Sequence, residues 1–136
     1  MNTLVLFYSR SGHTKAAARA VAEQRQAKLC EVTESRRSSL LGAFFRGAPA
    51  SMRRRATPID PLSVSLADFD KIILMAPVWA NHPAPAFNSM VALLPAGREV
   101  EVHLISSSGQ SGDVEGTKAL IAARGCTVTD WCDIKA

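Results

Sequence analysis

Two stretches of this chain, Leu4-Val5-Leu6-Phe7 and Ile72-Ile73-Leu74-Met75-Ala76, are apolar at every position. A strand with one face in water alternates apolar and polar residues, so an unbroken apolar strand must be covered on both faces. Helices packed on each side of a parallel sheet provide that cover. Strands are predicted at Thr3 to Tyr8, Lys28 to Thr33, Lys71 to Ala76, Val100 to Ser106 and Cys126 to Asp133. Helical patterns alternate with them at His13 to Gln24, Pro83 to Leu94 and Glu115 to Arg124, with a fourth near Ser39 to Phe45. Pro83 and Pro85 suit a first helical turn, where the missing N–H is not needed, and Gly97 and Gly125 stand as stop signals. Right-handed βαβ units then give a three-layer α/β/α, doubly wound, five-stranded parallel sheet. At 136 residues the chain makes a single domain, 1–136.

The 47% hydrophobic and 21% charged residues place the chain among ordinary globular proteins. No apolar stretch approaches the ~20 residues of a membrane span. The start, Met1-Asn2-Thr3-Leu4, lacks the basic region and cleavage site of a secretory signal, so a cytoplasmic location is expected. Cys30, Cys126 and Cys132 lack C-x-x-C spacing and read as structural, the first two within strands. No clustered His, Cys or carboxylate pattern suggests a metal.

The formal charge of +4 is unevenly placed: Arg36, Arg37, Arg46, Arg53, Arg54 and Arg55 fall in one acid-free segment, leaving −2 for the rest. Leu40, Leu41, Phe44 and Phe45 lie among these arginines. Basic runs are most often solvated faces. Clustered arginines also neutralise phosphates, but no nucleic-acid motif accompanies this cluster. Homo-oligomer contacts through the phenylalanines, or capture of an anionic group such as the 2′-phosphate of NADPH, are the other uses open to it.

In doubly wound sheets ligands bind beyond the carboxyl ends of the strands, where strand order reverses. Three turns therefore carry the functional information. The first is Ser9-Arg10-Ser11-Gly12-His13-Thr14, running from strand into helix. It sets hydroxyl donors and backbone N–H groups around one concave spot suited to an anion such as phosphate; a plain helix cap is the bland alternative. With a single glycine it fits neither the nucleoside-triphosphate loop nor the dinucleotide fingerprint. The pattern Ser9-x-Ser11-Gly12-x-Thr14 resembles the [ST]-x-[ST]-G-x-[ST] loop of the flavodoxin family. The second turn, Pro77-Val78-Trp79-Ala80-Asn81-His82-Pro83-Ala84-Pro85, resembles that family's P-V-[WY]-x-G-x-x-[AP]-P stretch, with Asn81 where glycine is usual. Asn tolerates positive φ, so the turn is expected to survive that change. The third, Ser107-Ser108-Gly109-Gln110-Ser111-Gly112-Asp113, is small, polar and glycine-bearing, and resembles the third flavin-binding loop.

The resemblance spans the whole chain and implies a flavodoxin-like sheet of order 2-1-3-4-5 holding FMN non-covalently. It implies phosphate contacts from Ser9, Arg10, Ser11, Gly12, His13 and Thr14, and ring contacts from Pro77, Val78, Trp79, Ala80, Asn81 and His82. Ser107, Ser108, Gly109, Gln110 and Gly112 would hold the polar edge. His82 is also a candidate proton donor, whereas His103, within a strand, reads as a satisfied core residue. Phosphorelay receivers share this sheet order but carry an acidic pair and a phosphorylatable Asp where this chain has Ser9-Arg10 and Ala76-Pro77. Two flavin functions remain open: an electron carrier serving a redox partner protein, and a small reductase passing hydride from NAD(P)H to a quinone-like acceptor. A non-enzymatic anion-binding or nucleic-acid-binding module is the alternative of another class.

Overall fold

The computed structural model describes residues 2–35 and 56–136. The arginine-rich segment, with its predicted helix at Ser39 to Phe45, lies outside the described residues. The elements run β1 (Thr3–Tyr8), α1 (His13–Arg25), β2 (Lys28–Val32), a 3₁₀ turn (Leu66–Asp68), β3 (Lys71–Trp79), β4 (His82–Pro83), α2 (Pro85–Ala92), β5 (Glu99–Ser106), α3 (Val114–Ala122) and β6 (Thr127–Lys135). The strand order is β2-β1-β3-β5-β6, with β4 paired only to the end of β3. Apart from that two-residue strand this is the order expected from the sequence, and all pairings along the path are parallel.

The continuous apolar runs are explained by two cores. Leu4, Leu6, Ile72, Leu74, Val102 and Leu104 face the α2/α3 side. Val5, Phe7, Ile73, Met75 and Ile105 face α1, whose buried Ala18 and Ala22 lie four residues apart on one helical stripe. Small side chains at that spacing let the helix lie close to the sheet. Its end is a tight stop: Gln26 takes a φ of 52°, and the Ala27 N–H donates to the Ala22 carbonyl at 2.9 Å.

Toward β6 the α1-side layer becomes polar. Glu101, 2% exposed, accepts two hydrogen bonds from the Arg25 guanidinium at 2.8 and 2.9 Å. Lys71 Nζ reaches it at 2.7 Å and His103 Nε2 at 3.1 Å. The Arg25 bonds foremost, joined by those from Lys71 and His103, outweigh burial and hold the Glu101 carboxyl down at about 2. His103 is thus a satisfied core residue, as expected. Ligand-type atoms of Glu101, His103 and Asp130 lie within 4.8 Å of one another, but Arg25 and Lys71 already neutralise Glu101, the signature of a salt-bridge network.

Several boundaries differ from the sequence reading. β3 continues through Pro77 and Val78 to Trp79, because the chain reverses at once and pairs antiparallel with His82 and Pro83. Pro83 therefore belongs to β4, and α2 starts at Pro85. β2 ends at Val32, α2 at Ala92 and α3 at Ala122. Cys126 is buried just ahead of β6, and Cys132 is exposed on β6, the edge strand of the sheet, whose pairing with β5 shifts register opposite Val100 and Glu101.

Candidate functional site

The first turn joins β1 to α1 through Gly12, whose φ of 95° excludes most side chains while its Cβ position meets nothing within 4 Å. Glycine is needed there for the backbone, and the space before it is open. Gly12 is also the helix cap residue, and no side chain caps α1. The hydroxyls bond within the turn instead: the Ser9 hydroxyl accepts from the Gly12 N–H at 3.1 Å, and the Ser11 hydroxyl lies 3.3 Å from His13 Nδ1. Ser11, Gly12 and His13 are exposed, whereas Thr14 is buried. The outcome is a hydroxyl-bearing loop at the positive end of a helix dipole.

The second turn is a two-residue hairpin. Trp79 pairs with His82, and the residues between them, Ala80 and Asn81, have φ values of 50° and 67°. Positive φ at both positions is the type I′ turn, whose twist matches an antiparallel pair. Asn81 behaves as expected from its tolerance of that region; Ala80 was not anticipated there. The Asn81 carbonyl accepts from the Gly112 N–H at 2.7 Å, tying the hairpin tip to the third turn. A Cβ on Gly112 would lie 3.1 Å from both the Asn81 carbonyl oxygen and its Cβ, so glycine permits this close approach.

Trp79 ties the hairpin to the first turn. The Tyr8 ring meets it edge-on, with centroids 6.1 Å apart and planes at 79°. The Arg10 guanidinium lies 5.6 Å from its ring centroid. Tyr8 donates its hydroxyl to Glu34, and burial foremost, with the Glu34 carboxylate, pushes the phenol well above its ordinary range. Sequence reasoning did not single out Tyr8 and Glu34. The available signal was a phenol at the last position of β1, where a polar tip beside a loop needs a partner.

The third turn folds around Ser106. Its hydroxyl accepts from the N–H groups of Gly109 at 2.9 Å and Gln110 at 3.1 Å. Those two amides are engaged within the turn, and the exposed Ser108 hydroxyl also accepts from the Gln110 N–H at 3.2 Å, beside the exposed Ser107. Gly109 holds a φ of 74° against the Lys135 side chain. Asp113 opens α3, with Oδ1 accepting from the Gly116 N–H at 3.1 Å.

The three turns thus meet at the carboxyl ends of β1, β3 and β5, linked by Arg10–Trp79, Tyr8–Trp79 and Asn81–Gly112. One polar atom there is left over: His82 Nδ1 is buried and has no hydrogen-bond partner. A separate open groove of about 520 Å³, lined by residues including Ile59, Leu62, Leu66 and Leu93, shares none of these residues. No described helix is long and apolar enough to cross a membrane.

None of the protein-family models matches this sequence, and no curated protein matches it. Solved structures do match its fold. A flavoprotein in complex with FMN from Lactobacillus acidophilus NCFM superposes with a TM-score of 0.75 at 22% identity, over 96% of this chain and 91% of that one. Oxidised flavodoxin 2 from Bacillus cereus matches at 0.59 and 18% identity, covering 99% of this chain and 84% of the other. The flavodoxin of Streptococcus pneumonia TIGR4 matches at 0.59 and 14%, over 100% and 87%. With the strand order and the layers in agreement, the chain has the flavodoxin-like fold.

Proposed function

We propose that this chain binds FMN non-covalently and transfers electrons through it. The observation that carries the reading is the junction of three turns at the switch point: an uncapped helix start ringed by Ser9, Ser11 and His13, an aromatic hairpin at Trp79, and a polar edge at Ser107 and Ser108. The donor set fits the cofactor's two ends. Hydroxyls and helix N–H groups suit a phosphate dianion. Trp79 offers a flat apolar surface for a ring system, and the serine edge suits ring carbonyls. The FMN bound by the Lactobacillus flavoprotein supports the same reading.

Each part of the chain has a task. The first turn anchors the phosphate and fixes register. The hairpin positions the ring and shields it from water, and its type I′ geometry fixes where the backbone lies. Arg10 sets a positive charge beside Trp79, which favours an anionic group near the ring. FMN, when bound, supplies the one- and two-electron chemistry. We extend the proposal to the partner: a redox protein, or NAD(P)H with a small acceptor.

The test is the visible spectrum of purified protein titrated with FMN, followed by anaerobic NADPH and then dithionite. Flavin bands that shift on binding and bleach with NADPH assign a reductase; bleaching with dithionite alone assigns a carrier. No FMN binding refutes both and leaves an anion-binding module. Replacing Ser9 and Ser11 together with Ala is expected to weaken FMN about tenfold or more, from lost hydrogen bonds to a charged group, while leaving riboflavin unchanged.

A further inference from the structure

The loop pattern Ser9-x-Ser11-Gly12-x-Thr14 leaves position 10 unspecified, so Arg10 is a feature of this chain and not of the motif. The resemblance sets it among the phosphate contacts, whereas the structure sends its side chain to the hairpin. β1 and β3 are neighbours, with Phe7 opposite Met75, so the residues just beyond their ends share one corner of the sheet. Ser9 ties the loop back on itself by accepting from the Gly12 N–H at 3.1 Å. From that corner the Arg10 guanidinium reaches over the indole of Trp79, 5.6 Å from the ring centroid. The Tyr8 ring meets the same indole edge-on.

The charge is available there. Arg10 is exposed, and none of the ion pairs among the described residues involves it: Lys15 pairs with Glu31, Lys118 with Glu115, and Arg25, Lys71 and His103 with Glu101. The Glu34 carboxylate accepts instead from the Tyr8 hydroxyl. Burial foremost, and then Glu34, push that phenol upward, and Arg10 opposes them, so its positive field is felt inside the junction of the turns. A guanidinium over an aromatic face keeps its charge. The flat surface offered to a planar ring thus carries an unneutralised cation.

We infer that Arg10 is a charge-tuning residue at the ring end of the site, which holds the two-electron-reduced, anionic form of a bound flavin more tightly than the oxidised form. The inference rests on the FMN reading and deepens it by naming the redox form that the site prefers. The oxidised ring is uncharged; uptake of two electrons and one proton leaves it with one negative charge. A nearby cation stabilises that anion and does little for the neutral ring. Anchoring of the phosphate falls to the hydroxyls and N–H groups of the first turn, so removing Arg10 separates ring charge from phosphate binding.

The experiment compares wild type with Arg10→Gln, Arg10→Lys and Lys28→Gln. The last removes the same charge from an exposed residue at the opposite ends of the strands. All three positions changed are exposed-surface substitutions that cost little stability. Each protein is titrated with FMN and with riboflavin, and the two-electron midpoint potential of the bound FMN is measured by anaerobic dithionite titration against a reference dye. Arg10→Gln is expected to bind both oxidised flavins within about threefold of wild type, while the reduced form loses about fivefold in affinity relative to the oxidised one. That ratio is a fall of about 20 mV in the midpoint. Arg10→Lys retains the charge and is expected to show at most about half of the fall, and Lys28→Gln none. A fall in Arg10→Gln no larger than in Lys28→Gln, or an equal fall in Arg10→Lys, overturns the inference while the FMN reading stands. So does a loss of about tenfold in FMN affinity with riboflavin unchanged, which returns Arg10 to the phosphate. Wild type that binds neither flavin overturns both readings.

Discussion

Replacing Glu101 by Gln tests whether the polar layer beneath β5 and β6 stabilises the fold. In the native protein the carboxyl sits at about 2 against an ordinary 4.5, a difference equivalent to about 3 kcal/mol at neutral pH. The Arg25 side chain is 37% exposed and Lys71 21%, so water screens part of this attraction and the useful figure is about 2 kcal/mol. Gln removes that contribution and leaves two cations facing a neutral amide, which they escape by turning toward solvent. The expected loss is therefore about 2–3 kcal/mol, below the ~3–5 of a fully buried broken pair. Because the native pKa is depressed, the stabilisation is present above pH 4.5 and is lost as pH falls toward 2. Urea denaturation of both proteins from pH 7 to pH 2 measures this directly: the gap between them should narrow below pH 4.5 and close near pH 2. A gap under about 1 kcal/mol at pH 7, or one that stays constant down to pH 2, refutes the reasoning.

Gly112→Ala forces a Cβ to 3.1 Å from the Asn81 carbonyl oxygen; it should cost about 1–2 kcal/mol in urea denaturation and weaken FMN binding by shifting the hairpin tip. Ala80→Gly and Gln26→Gly each relieve a positive φ on a side-chain-bearing residue. Each should raise stability by up to about 1 kcal/mol, read as an increase in the urea midpoint. A fall in midpoint for either contradicts the turn geometry assigned to it.

The local sequence carried the layer architecture because two buried faces demand unbroken apolar strands. Leu4 to Phe7 and Ile72 to Ala76 therefore announce a parallel sheet, and the helical patterns between strands set its winding. The three turns were legible for a related reason: a strand-to-helix turn has few chemical solutions, and hydroxyls around one glycine are among them. Asn81 at positive φ could be read from its own chemistry. Other features depend on partners distant in the chain. Pro77 to Trp79 read as a loop because prolines and small residues break the pattern, yet pairing with His82 and Pro83 makes them strand. The N–H groups of Gly109 and Gln110 look free in sequence and are taken up by the Ser106 hydroxyl. Glu101 gives no sign of burial, since its neutralising partners Arg25 and Lys71 sit 76 and 30 positions away. Periodicity and turn chemistry act over a few residues, and so the sequence by itself determined the five parallel strands, the three helices between them and the order of the loops. Hydrogen bonds and charge pairs are satisfied wherever the fold brings partners within about 3 Å, and so only the tertiary structure decided that Arg10 lies over Trp79, that Gly112 clamps Asn81, and that His82 is left with one nitrogen unpaired.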